Sequence, residues 1–139
     1  MEPLTTGRLA QQGQVNIETI RYYERQGLLQ RPSRLPSGYR SFPQESVQRV
    51  RFIKRAQKLG FTLHEIKELL SLRVGRTGQE IAGVKQLAKT KIADIEEKIR
   101  VLTGMRAILK DLETHCPGNG PASGCPILES LEHADIERA

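Results

Sequence analysis

Apolar positions in this chain recur at helical spacing, and the breaks between the runs carry residues that cap or end helices. Residues 5–12 read as a short helix capped by Thr5, with a turn through Gly13. Asn16 then caps "NIETIRYYERQG", which Gly27 ends. This second helix is expected to bury Ile17 and Ile20 and to turn Thr19, Arg21, Tyr22 and Arg25 elsewhere, with Tyr23 packing into the domain. Two short helices joined by a tight turn form a helix-turn-helix.

The next stretch, "LLQRPSRLPSGYRSF", holds two prolines and a glycine and excludes a helix. "YRSF" is expected to pair with "LLQR" as a small antiparallel ribbon, the shape of a wing. Pro43 suits the first turn of a third helix ending near Lys58, with Val47, Val50, Phe52 and Ile53 on its apolar side. Gly60 stops it, and Thr62 with Glu65 forms a capping box that opens a fourth helix. Thr77 with Glu80 forms a second such box. From there Ala88, Ile92, Ile95, Ile99, Leu102 and Leu109 recur at spacings of four and three, broken only by Arg106. That seam predicts a helix of roughly 40 Å that associates with a second copy of itself.

Charge adds a partner to this picture. The formal net charge is +6 and the pI about 9.6, and the first 58 residues are rich in arginine with few acids. Such a balance favours a polyanion, nucleic acid first. Arginine and tyrosine on the second helix and wing supply phosphate and groove-edge contacts, and a two-fold dimer presents two such units to a palindromic site. Only 4% of residues are aromatic, so the core must be aliphatic. The N-terminus lacks the pattern of a signal peptide and no apolar run approaches a membrane span, so a cytoplasmic protein without membrane contact is expected. In that compartment the two cysteines, Cys116 and Cys125, point to metal binding or redox chemistry more than to a lasting disulfide.

"TIRYYERQGLL", "SGYRSF" and "RFIKRAQKLGFTLHEIKELL", in that order and followed by a long helix and a cysteine loop, closely resemble the MerR family of transcriptional regulators. The resemblance runs from about Leu4 to Leu131. It implies a mainly α fold: a winged helix-turn-helix DNA-binding domain (residues 1–75), a coiled-coil dimerisation helix (76–112), and a cysteine loop with a short helix and tail (113–139). It further implies a homodimer, joined by an antiparallel coiled coil, on double-stranded promoter DNA, which distorts that DNA for RNA polymerase when an effector binds. By position, Arg21, Tyr22, Tyr39 and Arg40 match the family's DNA-contacting places, with Thr19 an addition; Tyr39 could instead only brace the wing.

Cys116 and Cys125 match the loop of the family's metal-responsive branch. Thiolates favour soft ions such as Hg(II), Cu(I), Ag(I) or Au(I) over Mg(II) or Ca(II). Family members that detect divalent ions carry a third cysteine near the start of the long helix, and here that place falls at about Ile81. Two thiolates alone accept a linear ion, whereas Zn(II) needs further ligands, with His115 a candidate. A two-thiolate Hg(II) site is neutral while a Cu(I) site keeps net negative charge. This argument and the look of "CPGNGP…CPIL", most like the mercury-responsive members, favour Hg(II), with Cu(I), Ag(I) and Au(I) close behind.

Other classes fit less well. The chain has no phosphate-cradling glycine loop, no nucleophile elbow and no C-x-x-C pair, so an enzyme is not expected. A metal carrier leaves the helix-turn-helix and wing without purpose. A regulator switched by joining Cys116 to Cys125 is the nearest alternative.

Overall fold

The structure is a computed structural model that describes residues 3–133. Its caps set the helices. Thr5 accepts from the Arg8 amide and opens α1 (Thr6–Gly13), and Asn16 accepts from the Thr19 amide at 2.7 Å and opens α2 (Ile17–Arg25). The turn between them differs from expectation. Gln14, not Gly13, takes the left-handed conformation, at φ 59°. Gly13 closes α1 for another reason: a Cβ there would lie 2.6 Å from Cγ1 of Val50 on α3 (Ser46–Lys58). Close helix packing, rather than turn geometry, requires this glycine.

Between α2 and α3 lies a two-stranded antiparallel wing, β1 (Ser33–Arg34) and β2 (Arg40–Ser41). Its register corrects the expected pairing of "YRSF" with "LLQR": Ser33 faces Ser41 and Arg34 faces Arg40. Leu28 and Leu29 are buried in the core instead, and Phe42 bridges to Leu4. Burying two leucines contributes about 1.5–3 kcal/mol each, and a solvent-facing ribbon forfeits that. Pro43 also lies outside its expected helix. It heads a turn in which the Ser46 amide donates to its carbonyl, and α3 begins three residues later.

The core gathers Leu4, Leu9, Ile20, Tyr23, Leu28, Val50, Ile53 and Ile66. Tyr23 is buried as expected, and its hydroxyl donates to Gln57 at 2.7 Å. Ile17 and Phe52 are not part of it; both are exposed, Ile17 at 43%. Ile17 stands in the first turn of α2, where the chain has only begun to pack. Phe52 precedes the buried Ile53 and so falls off the face shared by Val50, Ile53 and Ala56.

Gly60, at φ 92°, ends α3, and the reciprocal Thr62–Glu65 box opens α4 (Leu63–Val74). The second box is altered. Glu80 reaches back to the amides of Thr77 and Gly78, but the Thr77 hydroxyl accepts from Gln79 rather than from Glu80. These bonds, that from the Thr77 amide foremost, hold the Glu80 carboxyl below the usual carboxylate range. Its contribution is therefore complete at neutral pH and is lost as pH falls through that lowered value.

Helix α5 (Glu80–His115) has 36 residues, about 54 Å at 1.5 Å per residue, and is longer than expected. No proline or positive-φ glycine interrupts it. A 3₁₀ turn (Ala122–Gly124) and α6 (Pro126–His133) follow. The chain divides into two units, residues 1–87 and 88–139; residues 134–139, which include most of the expected tail, lie outside the described residues. No helix among the described residues is long and apolar enough to cross a membrane.

Candidate nucleic-acid interface and thiol site

Residues 18, 21, 22 and 25 fall on one face of α2 because they recur at spacings of three and four. Arg21 and Tyr22 are exposed there, and the Arg25 guanidinium lies 5.9 Å from the Tyr22 ring centroid. That distance suits a cation–π contact that stiffens the pair without using the guanidinium donors. Arg21 donates to Glu18 at 3.0 Å, both side chains being mostly exposed. An ion pair so hydrated holds Arg21 only weakly. Thr19 is half-buried, and its hydroxyl donates to Asn16 at 2.9 Å, so its donor serves the cap.

Tyr39 projects from the wing and is 69% exposed, so it is not a brace buried against the domain. Arg40 is half-buried and donates to Glu24 of α2 at 2.9 Å, tying β2 to the second helix. Between the start of α1, α2 and the wing lies a cleft of about 1200 Å³. Arg21, Arg25, Arg31, Arg34 and Arg40 line it, against the single carboxylate of Glu24. A concave surface with five guanidiniums and one acid attracts a polyanion. Arg31 and Arg34 were not among the expected site residues. Their signal was present in the arginine-rich wing segment, but only the fold brings them beside α2.

The thiols lie elsewhere in the chain. Cys116 directly follows α5, its amide donating to Glu113 at 3.1 Å. Cys125 ends the 3₁₀ turn, and its carbonyl accepts from Glu129 at the start of α6. Gly118 and Gly120 adopt φ of 82° and 114°, conformations that let the connecting loop double back. Both cysteines are half-buried free thiols. The Nδ1 of His115, next to Cys116, lies 2.7 Å from the Asp111 carbonyl one helical turn back, which leaves Nε2 as its free ring nitrogen. Among the described residues, the one grouping of three metal-type donors is Glu129, Glu132 and His133, all exposed and including neither thiol. Neither thiol thus falls in a grouping of three metal-type donors among the described residues of this single chain. Ile81, in the first turn of α5, is 86% exposed.

A helix pair whose second member carries arginine and tyrosine outward, flanked by a basic wing, defines a winged helix-turn-helix DNA-binding protein. The description "MerR HTH family regulatory protein" matches residues 4–72, and "MerR, DNA binding" matches residues 47–112. The mercuric resistance operon regulatory protein of Bacillus cereus is 46% identical over 90% of this chain and 94% of its own length. The transcriptional regulator ZntR of Escherichia coli is 35% identical, covering 91% and 90% of the two chains. A transcription regulator from Ralstonia metallidurans, solved in complex with lead(II), superposes with a TM-score of 0.77 at 32% identity, over 91% of this chain and 97% of that one. The chain belongs to the MerR family of transcriptional regulators.

Proposed function

We propose that this protein is a mercury(II)-responsive regulator that works as a homodimer on double-stranded promoter DNA. The observation that carries the choice of ion is the pair of half-buried free thiols, with no grouping of three donors that includes either of them among the described residues of the single chain. Hg(II) accepts two thiolates in a line, and the resulting site is neutral. Cu(I), Ag(I) or Au(I) in the same site leaves one uncompensated negative charge, which costs more as water is excluded. The similarity to the Bacillus cereus mercuric resistance regulator supports the same choice. Because the place of the expected third cysteine holds Ile81, the reading requires that two thiolates suffice.

The DNA reading assigns Arg21, Tyr22, Tyr39 and Arg40 to contact, with Thr19 supporting α2 from its cap. Two wing-bearing domains joined by the α5 seam read a two-fold site. The ion acts by stabilising one of two dimer conformations, the one that underwinds the promoter and aligns it for RNA polymerase. An ion bound equally by both conformations switches nothing.

In vitro transcription with RNA polymerase and excess thiol, at buffered low Hg(II), Cu(I), Ag(I) or Zn(II), tests the ion. Selective activation by Hg(II) is expected. Activation by Cu(I) or Ag(I) alone, or by an oxidant without metal, overturns the assignment. The DNA surface is tested separately through Arg21→Gln. Operator affinity is expected to fall by about tenfold or more, in keeping with about 1–3 kcal/mol for a reading arginine. The melting temperature should hold, since the Arg21–Glu18 pair is exposed. Unchanged anisotropy titrations remove Arg21 from the interface.

A further inference from the structure

The acid in the basic cleft is the unexpected group. Glu24 lies on α2 with its side chain 20% exposed, and together with Arg31, Pro32, Arg34 and Arg40 it encloses a hollow of about 350 Å³ between helix and wing. Three arginines and one carboxylate therefore line the same hollow, and among the described residues Arg40 alone is paired with that carboxylate, through one terminal nitrogen at 2.9 Å. Arg34 instead donates within the wing, to the Gly38 carbonyl at 3.3 Å. A guanidinium has five N–H donors. One bond to Glu24 restrains where the Arg40 guanidinium sits and leaves the remaining donors for another acceptor.

From this geometry we infer that Glu24 is a positioning and specificity residue for DNA binding: it aims Arg40 and, by its charge, suppresses attachment to DNA of the wrong sequence. The inference rests on the DNA-binding reading above and assigns a role to a residue that touches the nucleic acid only through Arg40. Two effects separate by the duplex bound. On any duplex, the carboxylate repels phosphate and offsets one of the five cleft arginines, so it weakens non-specific binding, which is nearly all electrostatic. On the correct duplex the wing has one productive register. There a pre-aimed Arg40 loses less freedom on binding, which compensates for the repulsion.

The test uses the full-length protein, a duplex it enriches from a random pool, and a random duplex of equal length, each titrated over a range of salt. Glu24→Gln is expected to tighten binding to the random duplex about threefold to tenfold. It should also steepen the slope of log affinity against log salt on that duplex by about one. Binding to the enriched duplex should change by less than about twofold, so the specificity ratio falls. Glu24→Asp keeps the charge but cannot hold Arg40 in place. Its affinity for the random duplex should match wild type, while its affinity for the enriched duplex falls several-fold. Equal tightening on both duplexes by Glu24→Gln reduces Glu24 to a bulk charge, and wild-type behaviour on both by either variant overturns the inference. If wild type enriches no duplex at all, the DNA-binding reading itself fails, an outcome distinct from a failure confined to Glu24.

Discussion

Cys125→Ser is expected to weaken mercury(II) binding by more than about 100-fold and to abolish metal-dependent transcription. Changing a partner of a metal ligand typically costs 10- to 100-fold, and removing one of only two ligands exceeds that. Serine retains the size of cysteine but presents a hard hydroxyl that stays protonated, so the ion loses half of its soft donor set. No second soft donor replaces it among the described residues. Among those residues the one group of three metal-type donors, Glu129, Glu132 and His133, includes neither thiol, and His115 supplies at most one nitrogen in place of a thiolate. Competition with a small dithiol, followed by Hg(II)-dependent absorbance, measures the loss. DNA affinity without metal should stay within roughly twofold of wild type, the ordinary range for a substitution outside the core. A transcriptional response that survives in Cys125→Ser removes the loop as sensor. A response lost to metal but kept to peroxide cannot come from joining Cys116 to Cys125, and places redox sensing at another group.

Ile99→Glu should dissociate the dimer. Ile92, Ile95, Ile99, Leu102 and Leu109 are all exposed on the single chain, Ile99 at 57%, and together they form a stripe along α5 that water disfavours. In the proposed dimer each seam position is occupied twice, so one substitution buries two carboxylates. At about 2 kcal/mol or more for each unpaired polar group, the dimer is weakened by roughly three orders of magnitude. Sedimentation at micromolar concentration should show a monomer. Operator binding should fall with it, since each monomer then holds only one half-site. Glu96→Ala on the same helix, also exposed but off the seam, should leave the dimer intact. A dimer that persists in Ile99→Glu places the interface on another surface.

The difference between what was legible in the sequence and what was not follows from the range of the forces. Thr5, Asn16 and Thr62 with Glu65 cap where expected, because a cap is satisfied within three residues and needs nothing from the rest of the chain. The α5 seam was legible because periodicity along a helix is also local. Tyr23 was placed in the core by its helical phase alone. That both thiols are free, as expected, is what the structure adds to the cysteine pair.

Contacts across the chain were another matter. The wing register depended on whether Leu28 and Leu29 entered the core, and an aliphatic pair beside two prolines reads equally well as strand or core. Gly13 looked like a turn residue until Val50, 37 positions later, came within reach of its missing Cβ. Ile17 and Phe52 were apolar enough to be buried, yet the packing leaves both partly in water. The basic charge of the first 58 residues was plain from composition, but five arginines face one cleft only because the wing folds beside α2. Glu24 meets Arg40 across 16 positions by the same fold. The sequence by itself determined that these helices form, the caps at Thr5, Asn16 and Thr62, and the apolar periodicity of α5, all of which are settled within a few residues. Tertiary packing alone decided which apolar side chains lose water and which charges meet, because those depend on distances that no local pattern encodes.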